Sequence, residues 1–410
     1  MIANYIKIAW KVLLRHPFYT FITLFGISLT LTVLMVLTSF LDHLFGSHYP
    51  ETNRYRTLYI HQVVMLDSLK QSSMRAAASY NFLQKYVKSL KTPEKVSITT
   101  RSLGNTYIKD RRLGLNMRFA DANFWEMTNF EFLEGKPFNE EIITKGEKVA
   151  IISDDLKRQY FDNSPQSVLG KTIEVDKILY RVIGVVKAVP ATRQDTSADI
   201  YIPTNSNYES SGFIGSFNAF ILAHSSADIP TIQHEYQQAI SRIPLPQMAE
   251  NFKVYHVESS ADTYLEYWKT NISENILTHY IFIVAPILML FFVGLPAINL
   301  VNLNVGRMME RASEIGIRKA FGAPIQTLIW QFIIENIFIT FLGGIIALFF
   351  SAIIIYLIND SGWIAHSDLT INFSVFAISF LICLVFGFLS GVVPALRMSK
   401  LNIVEALKAA

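Results

Sequence analysis

The chain has 410 residues, of which 51% are hydrophobic and 17% are charged, and its formal net charge at pH 7 is +3. This composition is too apolar for a soluble protein of this length, and the slight positive charge gives no reason to expect a nucleic-acid partner. The apolar excess lies at the two ends of the chain, whereas the middle has the composition of an ordinary globular domain. The sequence therefore predicts a membrane protein with one large aqueous domain.

Residues 1–17 predict an amphipathic helix on the cytoplasmic membrane surface, with Trp10 on its apolar side and Lys7, Lys11 and Arg15 opposite. Residues 18–41 follow as the first apolar segment long enough to cross about 30 Å of hydrocarbon. A retained anchor is favoured over a cleaved signal peptide, because the segment is longer than a signal core and no small-x-small cleavage site follows.

Residues 42–278 are numerous enough to bury a core of their own. Partly alternating, β-branched runs predict strands, and the apolar spacing of other runs predicts helices. The polar tract Ala191–Gly215 predicts that part of it is a mobile loop. The expected strands are Thr57–Met65, Lys148–Ser153, Lys171–Asp176, Tyr180–Val189 and Phe252–Glu258, and the expected helices are Ser79–Leu90, Asp154–Phe161, Ile229–Arg242 and Ser260–Leu277.

Three further apolar segments are long enough to span a membrane, and their flanking charges set an orientation. Basic residues lie before the first segment, between the second and third, and after the fourth, whereas the loop between the third and fourth holds Asp360 and Asp368 but no lysine or arginine. The positive-inside rule then places both termini in the cytoplasm and residues 42–278 outside it. The expected order is a second span 279–303, a cytoplasmic segment 304–327, a third span 328–358, an outer loop 359–372, a fourth span 373–396 and a cytoplasmic tail 397–410.

The predicted fold class is thus an α-helical membrane protein with four transmembrane helices and a large mixed α/β extracytoplasmic domain inserted between the first and second spans. Within the third span, Gly343 and Gly344 would allow a second helix to approach closely. Glu335 is the one ionisable residue placed well inside a span. This scarcity argues against an ion-coupled transporter.

The most informative segment is the charged stretch from Arg307 to Pro324 between the second and third spans. Glu314 precedes Arg318 by four positions, the favourable order for an ion pair within a helix. Gly322 offers a helix stop, and Pro324 suits the first turn of a new helix. The segment therefore predicts a short cytoplasmic helix that ends sharply before the next span.

Candidate catalytic and metal-binding features are weak. Gly170-Lys171-Thr172 resembles the end of a phosphate-binding loop, but Pro165 stands where that loop needs glycine and a strand follows. The spacing of His43, His48 and His61 matches no metal-ligand pattern. Asp154-Asp155 is better explained as acidic residues at a helix N-terminus than as a general acid/base pair. We expect no catalytic residue, no metal and no cofactor in this chain.

Four stretches resemble the MacB/FtsX type of ABC transporter permease, the type VII, mechanotransmission class. They cover most of the chain in matching order, and EIGIRKAFGA is the most specific motif. Pro324 departs from better-known relatives, and Asn53–Lys91 matches no substrate subclass. The stretches are YIKIAWKVLLRHPFYTFITLFGISL; FADANFWEMTNFEFLEGKPF with VAIISDDLKRQYF, VLGKTIEV and YRVIGVV; NLVNLNVGRMMERASEIGIRKAFGAPIQTLIWQFIIENIFITFLGG; and FGFLSGVVPALRMSKLNIVEALK.

The resemblance implies a bacterial inner-membrane permease whose two subunits, identical or paralogous, sit on a pair of cytoplasmic ATPase subunits. ATP and Mg²⁺ would be bound by that partner, since this chain is not expected to be an enzyme. Closure of the cytoplasmic ends would move the outer domains and so drive export or extraction of a periplasmic or membrane-derived substrate. A periplasmic adaptor or an outer-membrane channel is a further partner that the resemblance allows, beside membrane lipid.

The same resemblance implies a coupling helix within Glu314–Ala323 that contacts the ATPase. Arg318 and Lys319 would meet acidic residues there, and an apolar set would pack beside them. The alternative is that these two basic residues only bind anionic lipid headgroups or fix topology. The implied coupling residues are Glu314, Ile315, Ile317, Arg318, Lys319, Phe321 and Gly322.

Two other functions stay open. The first is an FtsX-like regulator that transmits ATPase-driven motion to a periplasmic cell-wall hydrolase, and the second is a receptor or scaffold that works without an ATPase. The size of the outer domain favours the permease over the regulator. The coupling-type segment makes the receptor the least favoured of the three.

Overall fold

The computed structural model of the protein describes residues 17–67, 73–108, 111–162, 165–204, 212–244, 254–273, 325–363 and 365–381, with isolated positions in flanking helices. The chain divides into two compact units. The outer unit comprises Leu44–Asn275 and Ile364–His366, and the membrane unit comprises Met1–His43, Ile276–Trp363 and Ser367–Ala410.

The described part of the outer unit contains thirteen strands. They are β1 Thr57–Ile60, β2 Val63–Asp67, β3 Ser73–Ala76, β4 Lys95–Ile108, β5 Arg111–Ala120, β6 Phe132–Gly135, β7 Val149–Ser153, β8 Thr172–Val175, β9 Ile178–Val186, β10 Ile200–Pro203, β11 Phe217–Leu222, β12 Val254–Glu258 and β13 Asp262–Thr263. Ten of them form one mixed sheet in the order β13-β1-β11-β4-β5-β10-β7-β9-β6, with β8 also paired to β9. A second sheet has the order β12-β2-β3.

The helices of the two units differ in length. Those of the outer unit are short. Four of them are capped at the N-terminus by a side chain that accepts a hydrogen bond from the backbone N–H three residues later, namely Ser79, Asp121, Asn139 and Ser153. The helices are α1 Pro17–Phe45, α2 Tyr80–Tyr86, α3 Ala122–Met127, α4 Glu140–Thr144, α5 Asp154–Tyr160, α6 Ile229–Ser241, α7 Tyr264–Ser273, α8 Ile325–Ser361 and α9 Phe373–Val385.

The prediction of a mixed α/β outer domain is confirmed. The expected strands at Lys148–Ser153, Lys171–Asp176 and Tyr180–Val189 correspond to β7, β8 and β9. Asp154 and Asp155 lie in the first turn of α5, as expected of acidic residues at a helix N-terminus.

The expected strand Thr57–Met65 is wrong as a single element. The chain leaves the large sheet at His61-Gln62 and enters the small sheet, so one apolar run supplies both β1 and β2. The polar tract Ala191–Gly215 also contains β10, which pairs with β5 and β7 and for which no strand was predicted.

A long hairpin of β4 and β5 was not predicted either. Ten consecutive residue pairs join the two strands from Thr99–Ala120 to Ile108–Arg111. The β8–β9 turn crosses this hairpin, where the Thr106 hydroxyl donates to the Glu174 carbonyl at 2.6 Å. A Cβ on Gly104 would lie 2.1 Å from Met117 Sδ of β5 and 3.0 Å from Val175 Cγ1 and Asp176 Oδ2, so a larger residue here would force these side chains to move.

The membrane unit contains two described helices that are long and apolar enough to cross a membrane, Thr20–Phe45 and Ile333–Ser361. They lie within α1 and α8, which correspond to the first and third predicted spans. The described part of the fourth span is α9, and the predicted second span lies almost wholly outside the described residues.

Helix contacts inside the membrane unit use the two glycines singled out from the sequence. A Cβ on Gly343 would lie 2.7 Å from Ile27 Cγ2 of α1, and one on Gly344 would lie 2.5 Å from Phe380 of α9. The Thr32 hydroxyl donates to the Ala347 carbonyl at 3.3 Å beside the first contact. The adjacent glycines thus let α8 approach two different helices.

We expect Gly343→Ala to destabilise the membrane unit by about 1–3 kcal/mol, because the added methyl group overpacks the contact with Ile27. The matched control is Gly26→Ala in α1, where a Cβ would have no neighbour within 4 Å. Thermal unfolding of the full chain in detergent should show a lower midpoint for Gly343→Ala than for the wild type. Gly26→Ala should not lower the midpoint. Equal midpoints would contradict the described packing.

Candidate functional site

The last residues of α1 and the first turns of α7 meet inside the outer unit. The Phe45 ring lies edge-on to Tyr264 and Trp268 of α7, with centroid distances of 6.2 Å and 5.9 Å. In sequence, α1 contains the first predicted span, and α7 directly precedes the second. The segment that follows the first predicted span and the segment that precedes the second therefore contact each other in one group of residues.

Arg54 connects the end of α1 to this group. It lies in a short 3₁₀ helix, Arg54–Arg56, and is 4% exposed. Its Nη1 donates to the Leu44 carbonyl at 2.6 Å, its Nε donates to Glu51 Oε2 at 2.7 Å, and its guanidinium lies 3.7 Å above the Tyr264 ring. One side chain thus joins α1, the following loop and α7.

Arg193 makes a second contact with the end of α1. It lies in the loop before β10 and is fully buried, and its Nη1 donates to the Gly46 carbonyl at 2.9 Å. Its Nη1 is also 4.0 Å from Glu51 Oε2, and the Thr196 hydroxyl donates to Glu51 Oε1 at 2.6 Å. Glu51 therefore links the two arginines. Cations that donate to the last carbonyls of a helix are favourably placed, because those carbonyls have no partner within the helix.

We call this set the junction cluster and keep the name below. It combines charge pairs with aromatic packing, and its charged members are buried. The junction cluster comprises Leu44, Phe45, Gly46, Glu51, Arg54, Arg193, Thr196, Tyr264 and Trp268.

The two arginines of the junction cluster keep their positive charge. Burial works to lower the pKa of Arg54, but Glu51 outweighs it and that pKa is raised. Burial, and then the charge of Arg54, lower the pKa of Arg193. Nearby Arg118 is 1% exposed, and burial lowers its pKa to about 10. All three guanidinium groups stay protonated near neutral pH. Arg54 and Arg193 have Glu51 and backbone carbonyls as partners, whereas Arg118 donates to the Thr99 hydroxyl and the Gln194 carbonyl.

The residues predicted from the sequence to couple to an ATPase lie outside the described residues. This holds for all of Glu314, Ile315, Ile317, Arg318, Lys319, Phe321 and Gly322. Conversely, sequence reasoning did not single out the junction cluster. A weak local signal existed in Glu51 and Arg54, which stand three positions apart after Pro50, but Arg193 lies 147 positions beyond the carbonyl it contacts.

Comparison with known proteins identifies the class. The family model for the MacB-like periplasmic core domain matches residues 20–239, more than half of the chain, and the model for the FtsX-like permease C-terminal region matches residues 286–403. The chain belongs to the MacB/FtsX family of ABC transporter permeases. Members of this type work with an ABC ATPase as part of a transporter.

Individual relatives agree with this assignment. The chain is 25% identical over 346 residues to the uncharacterised ABC transporter permease YknZ of Bacillus subtilis, which covers 82% of this chain and 81% of that protein. It is 27% identical over 283 residues to the macrolide export ATP-binding/permease protein MacB of Bdellovibrio bacteriovorus, covering 67% of this chain. The matched region spans only 41% of that MacB, whose name describes an ATP-binding protein as well as a permease.

Solved structures of the same type also align with the chain. The extracellular domain of the transporter YknZ from Gram-positive bacteria aligns at 14% identity and a TM-score of 0.36, over 49% of this chain and 98% of that domain. The periplasmic region of MacB from Actinobacillus actinomycetemcomitans aligns at 16% identity and a TM-score of 0.34, over 45% of this chain and 83% of that region.

Proposed function

We propose that this chain is the permease subunit of an ABC transporter in which a separate cytoplasmic ATPase moves the outer unit, and that the junction cluster transmits the movement. The motion would drive export or extraction of a periplasmic or membrane-derived substrate. ATP and Mg²⁺ would bind to the ATPase, and this chain would supply no catalytic group.

The observation that carries the proposal is the contact of two buried arginines with the end of α1. Leu44 and Gly46 present the carbonyls, and Arg54 and Arg193 belong to segments that are folded into the outer unit. A displacement or rotation of α1 would therefore pull on the outer unit through short, charge-assisted hydrogen bonds, which are stronger than neutral ones. Because Arg54 also contacts Tyr264, the same movement would reach α7.

On the opposite side of the membrane, we propose that Glu314–Ala323 is the coupling helix. This role rests on the segment's motif and charge pattern, together with the topology predicted from the sequence: four spans, cytoplasmic termini and a periplasmic outer unit in the bacterial inner membrane. The FtsX-like family model covers this segment. Force would then run from the coupling helix through the spans to the junction cluster.

Purification of the full chain in mild detergent, followed by identification of bound proteins, tests the proposed assembly. We expect an ABC ATPase in stoichiometric amount and a second permease subunit, identical or paralogous. A co-purified adaptor or outer-membrane channel would favour export, and a cell-wall hydrolase would favour the regulator. A chain that never binds an ATPase would contradict the proposal.

A further inference from the structure

The loop between α8 and α9 is held by a side chain near the end of α8. Asn359 Nδ2 donates to the Leu369 carbonyl at 3.0 Å, and Asn359 Oδ1 accepts from the Leu369 N–H at 3.0 Å. The same oxygen accepts from the Ser367 hydroxyl at 3.2 Å. Two of the three bonds join the backbone of Leu369, which is 3% exposed. Asn359 therefore fixes the position of the loop four residues before α9 begins.

A buried hydroxyl of α1 holds the same loop from another helix. Ser39 is 1% exposed, and its hydroxyl donates to the Thr370 carbonyl at 2.6 Å. Two residues further on, Asn372 Oδ1 accepts from the Ser374 and Val375 N–H groups at 3.1 Å and so caps the first turn of α9. The loop is thus hydrogen-bonded to α1, α8 and α9. We call this set the outer-loop cluster, and it comprises Ser39, Asn359, Ser367, Leu369, Thr370 and Asn372.

The outer-loop cluster lies close to the junction cluster along α1. Helix α1 is continuous over Pro17–Phe45, and Ser39 precedes Leu44 by five residues. A helix rises about 1.5 Å per residue, so roughly 7.5 Å of helix axis separates the two residues. The Leu44 carbonyl accepts the hydrogen bond from Arg54. A displacement of α1 at Ser39 therefore arrives at the junction cluster within less than two helical turns.

Contacts between α8 and α1 further along the helices are of a different kind. Gly343 lies against Ile27 in van der Waals contact. Thr32 shares its hydroxyl between the Ser28 carbonyl of its own helix at 2.7 Å and the Ala347 carbonyl of α8 at 3.3 Å, so the bond to α8 is the longer one. Packed helices can slide past each other by small amounts, whereas directed hydrogen bonds fix the position of the loop that they hold. The outer-loop cluster therefore connects α8 to α1 more firmly than these contacts do.

We propose that Asn359 and Ser39 are positioning residues of the transporter, which make the ends of α1, α8 and α9 next to this loop move as one body. Helix α8 begins at Ile325, just after the segment proposed to contact the ATPase. A displacement that enters α8 there is passed through the loop to α1, and α1 then moves the outer unit. The inference rests on the proposed function, because it names the helix contacts that carry the movement.

Hydrogen exchange in the complex of the full chain with its ATPase, reconstituted in lipid nanodiscs, tests this role. In the wild type, we expect ATP to change the exchange of the α7 amides, because Tyr264 of α7 contacts Arg54. Ser39→Ala and Asn359→Ala should each reduce this change at least about twofold, the lower end of what the loss of one hydrogen bond produces. Both variants should still bind the ATPase and hydrolyse ATP at the wild-type rate.

The matched control is Ser28→Ala. Ser28 is also a buried serine of α1, but its hydroxyl donates to the Phe25 carbonyl of the same helix at 3.2 Å. This variant should respond to ATP as the wild type does, since the lost bond joins no second helix. Exchange at the Leu369 amide gives an independent check, because Asn359→Ala should raise it at least about twofold and Ser28→Ala should leave it unchanged.

The outcomes separate this inference from the proposed function. If Ser39→Ala and Asn359→Ala respond to ATP as fully as the wild type, the positioning role is wrong and the proposed function stands. If Ser28→Ala loses the response as well, the effect comes from altered packing of α1, and the positioning role is again wrong. If the wild-type outer unit never responds while the bound ATPase hydrolyses ATP, the proposed function fails and the inference fails with it.

Discussion

Arg54→Ala is expected to lower the stability of the outer unit by about 3–5 kcal/mol, because it leaves the buried Glu51 carboxylate without its closest partner. The same change removes the hydrogen bond to the Leu44 carbonyl and the contact with the Tyr264 ring. Since a domain is stable by only about 5–15 kcal/mol, this loss takes a large share of the total. Thermal unfolding of the full chain in detergent should show a midpoint lowered by roughly 10 °C.

The matched control is Arg181→Ala. Arg181 also pairs with a glutamate, its Nη2 lying 2.9 Å from Glu147 Oε2, but it is 53% exposed. A solvent-exposed pair contributes about 0–1 kcal/mol, so the control should unfold within a few degrees of the wild type. If the two substitutions lower the unfolding midpoint equally, the buried contacts of Arg54 stabilise the protein no more than an exposed ion pair does.

Arg54→Lys separates folding from transmission. Lysine keeps the positive charge near Glu51, but it cannot reproduce the three directed contacts that the planar guanidinium makes. We expect a folded, inserted chain whose ATPase partner still hydrolyses ATP while the outer unit responds weakly. If the outer unit of this variant moves as it does in the wild type, a positive charge at position 54 is sufficient for transmission.

Arg318→Glu is the second change with a large expected effect. If the coupling helix contacts an acidic surface of the ATPase, charge reversal places like charges together, which costs several kcal/mol. We therefore expect binding of the ATPase to weaken by at least about tenfold, with membrane insertion intact. Phe321→Ala should weaken it further by removing apolar contact. Quantitative co-purification of the two proteins measures both effects.

The alternative role of Arg318, contact with anionic lipid or fixation of topology, predicts a different pattern. Lys400→Glu changes a basic residue on the same predicted side of the membrane, after the fourth span. If lipid contact or topology were the only role, the two reversals should have similar effects. Under the coupling interpretation, Lys400→Glu leaves ATPase binding near the wild-type level.

Sequence periodicity predicted the outer unit best where one face of an element is apolar. β7, β8, β9 and α5 were predicted from such patterns, and the bounds of each lie within three residues of the expected ones. The β4–β5 hairpin was missed because its inward positions include Thr106 and Gly104, which carry no apolar signal. Their burial depends on the β8–β9 turn crossing the hairpin, a contact that no local pattern encodes.

The junction cluster was beyond sequence reasoning for a related reason. An arginine in a chain is ordinarily an exposed residue, so neither Arg54 nor Arg193 stood out. Their burial arises from partners far away in sequence, above all Glu51 and the carbonyls at the end of α1. By contrast, the glycines at 343 and 344 could be singled out, because glycine in an apolar span typically allows a second helix to approach closely.

The most direct test of the account measures the outer unit while the ATPase works. Spin labels at Tyr107→Cys in the outer unit and Trp363→Cys in the membrane unit report one intrachain distance, once the buried native Cys383 is replaced by alanine. Both labelled positions are exposed, at 64% and 88%. In the complex with its ATPase in nanodiscs, the account predicts a shift of this distance distribution on ATP binding, abolished by Arg318→Glu and reduced by Arg54→Lys. An unchanged distribution during steady ATP hydrolysis would contradict it.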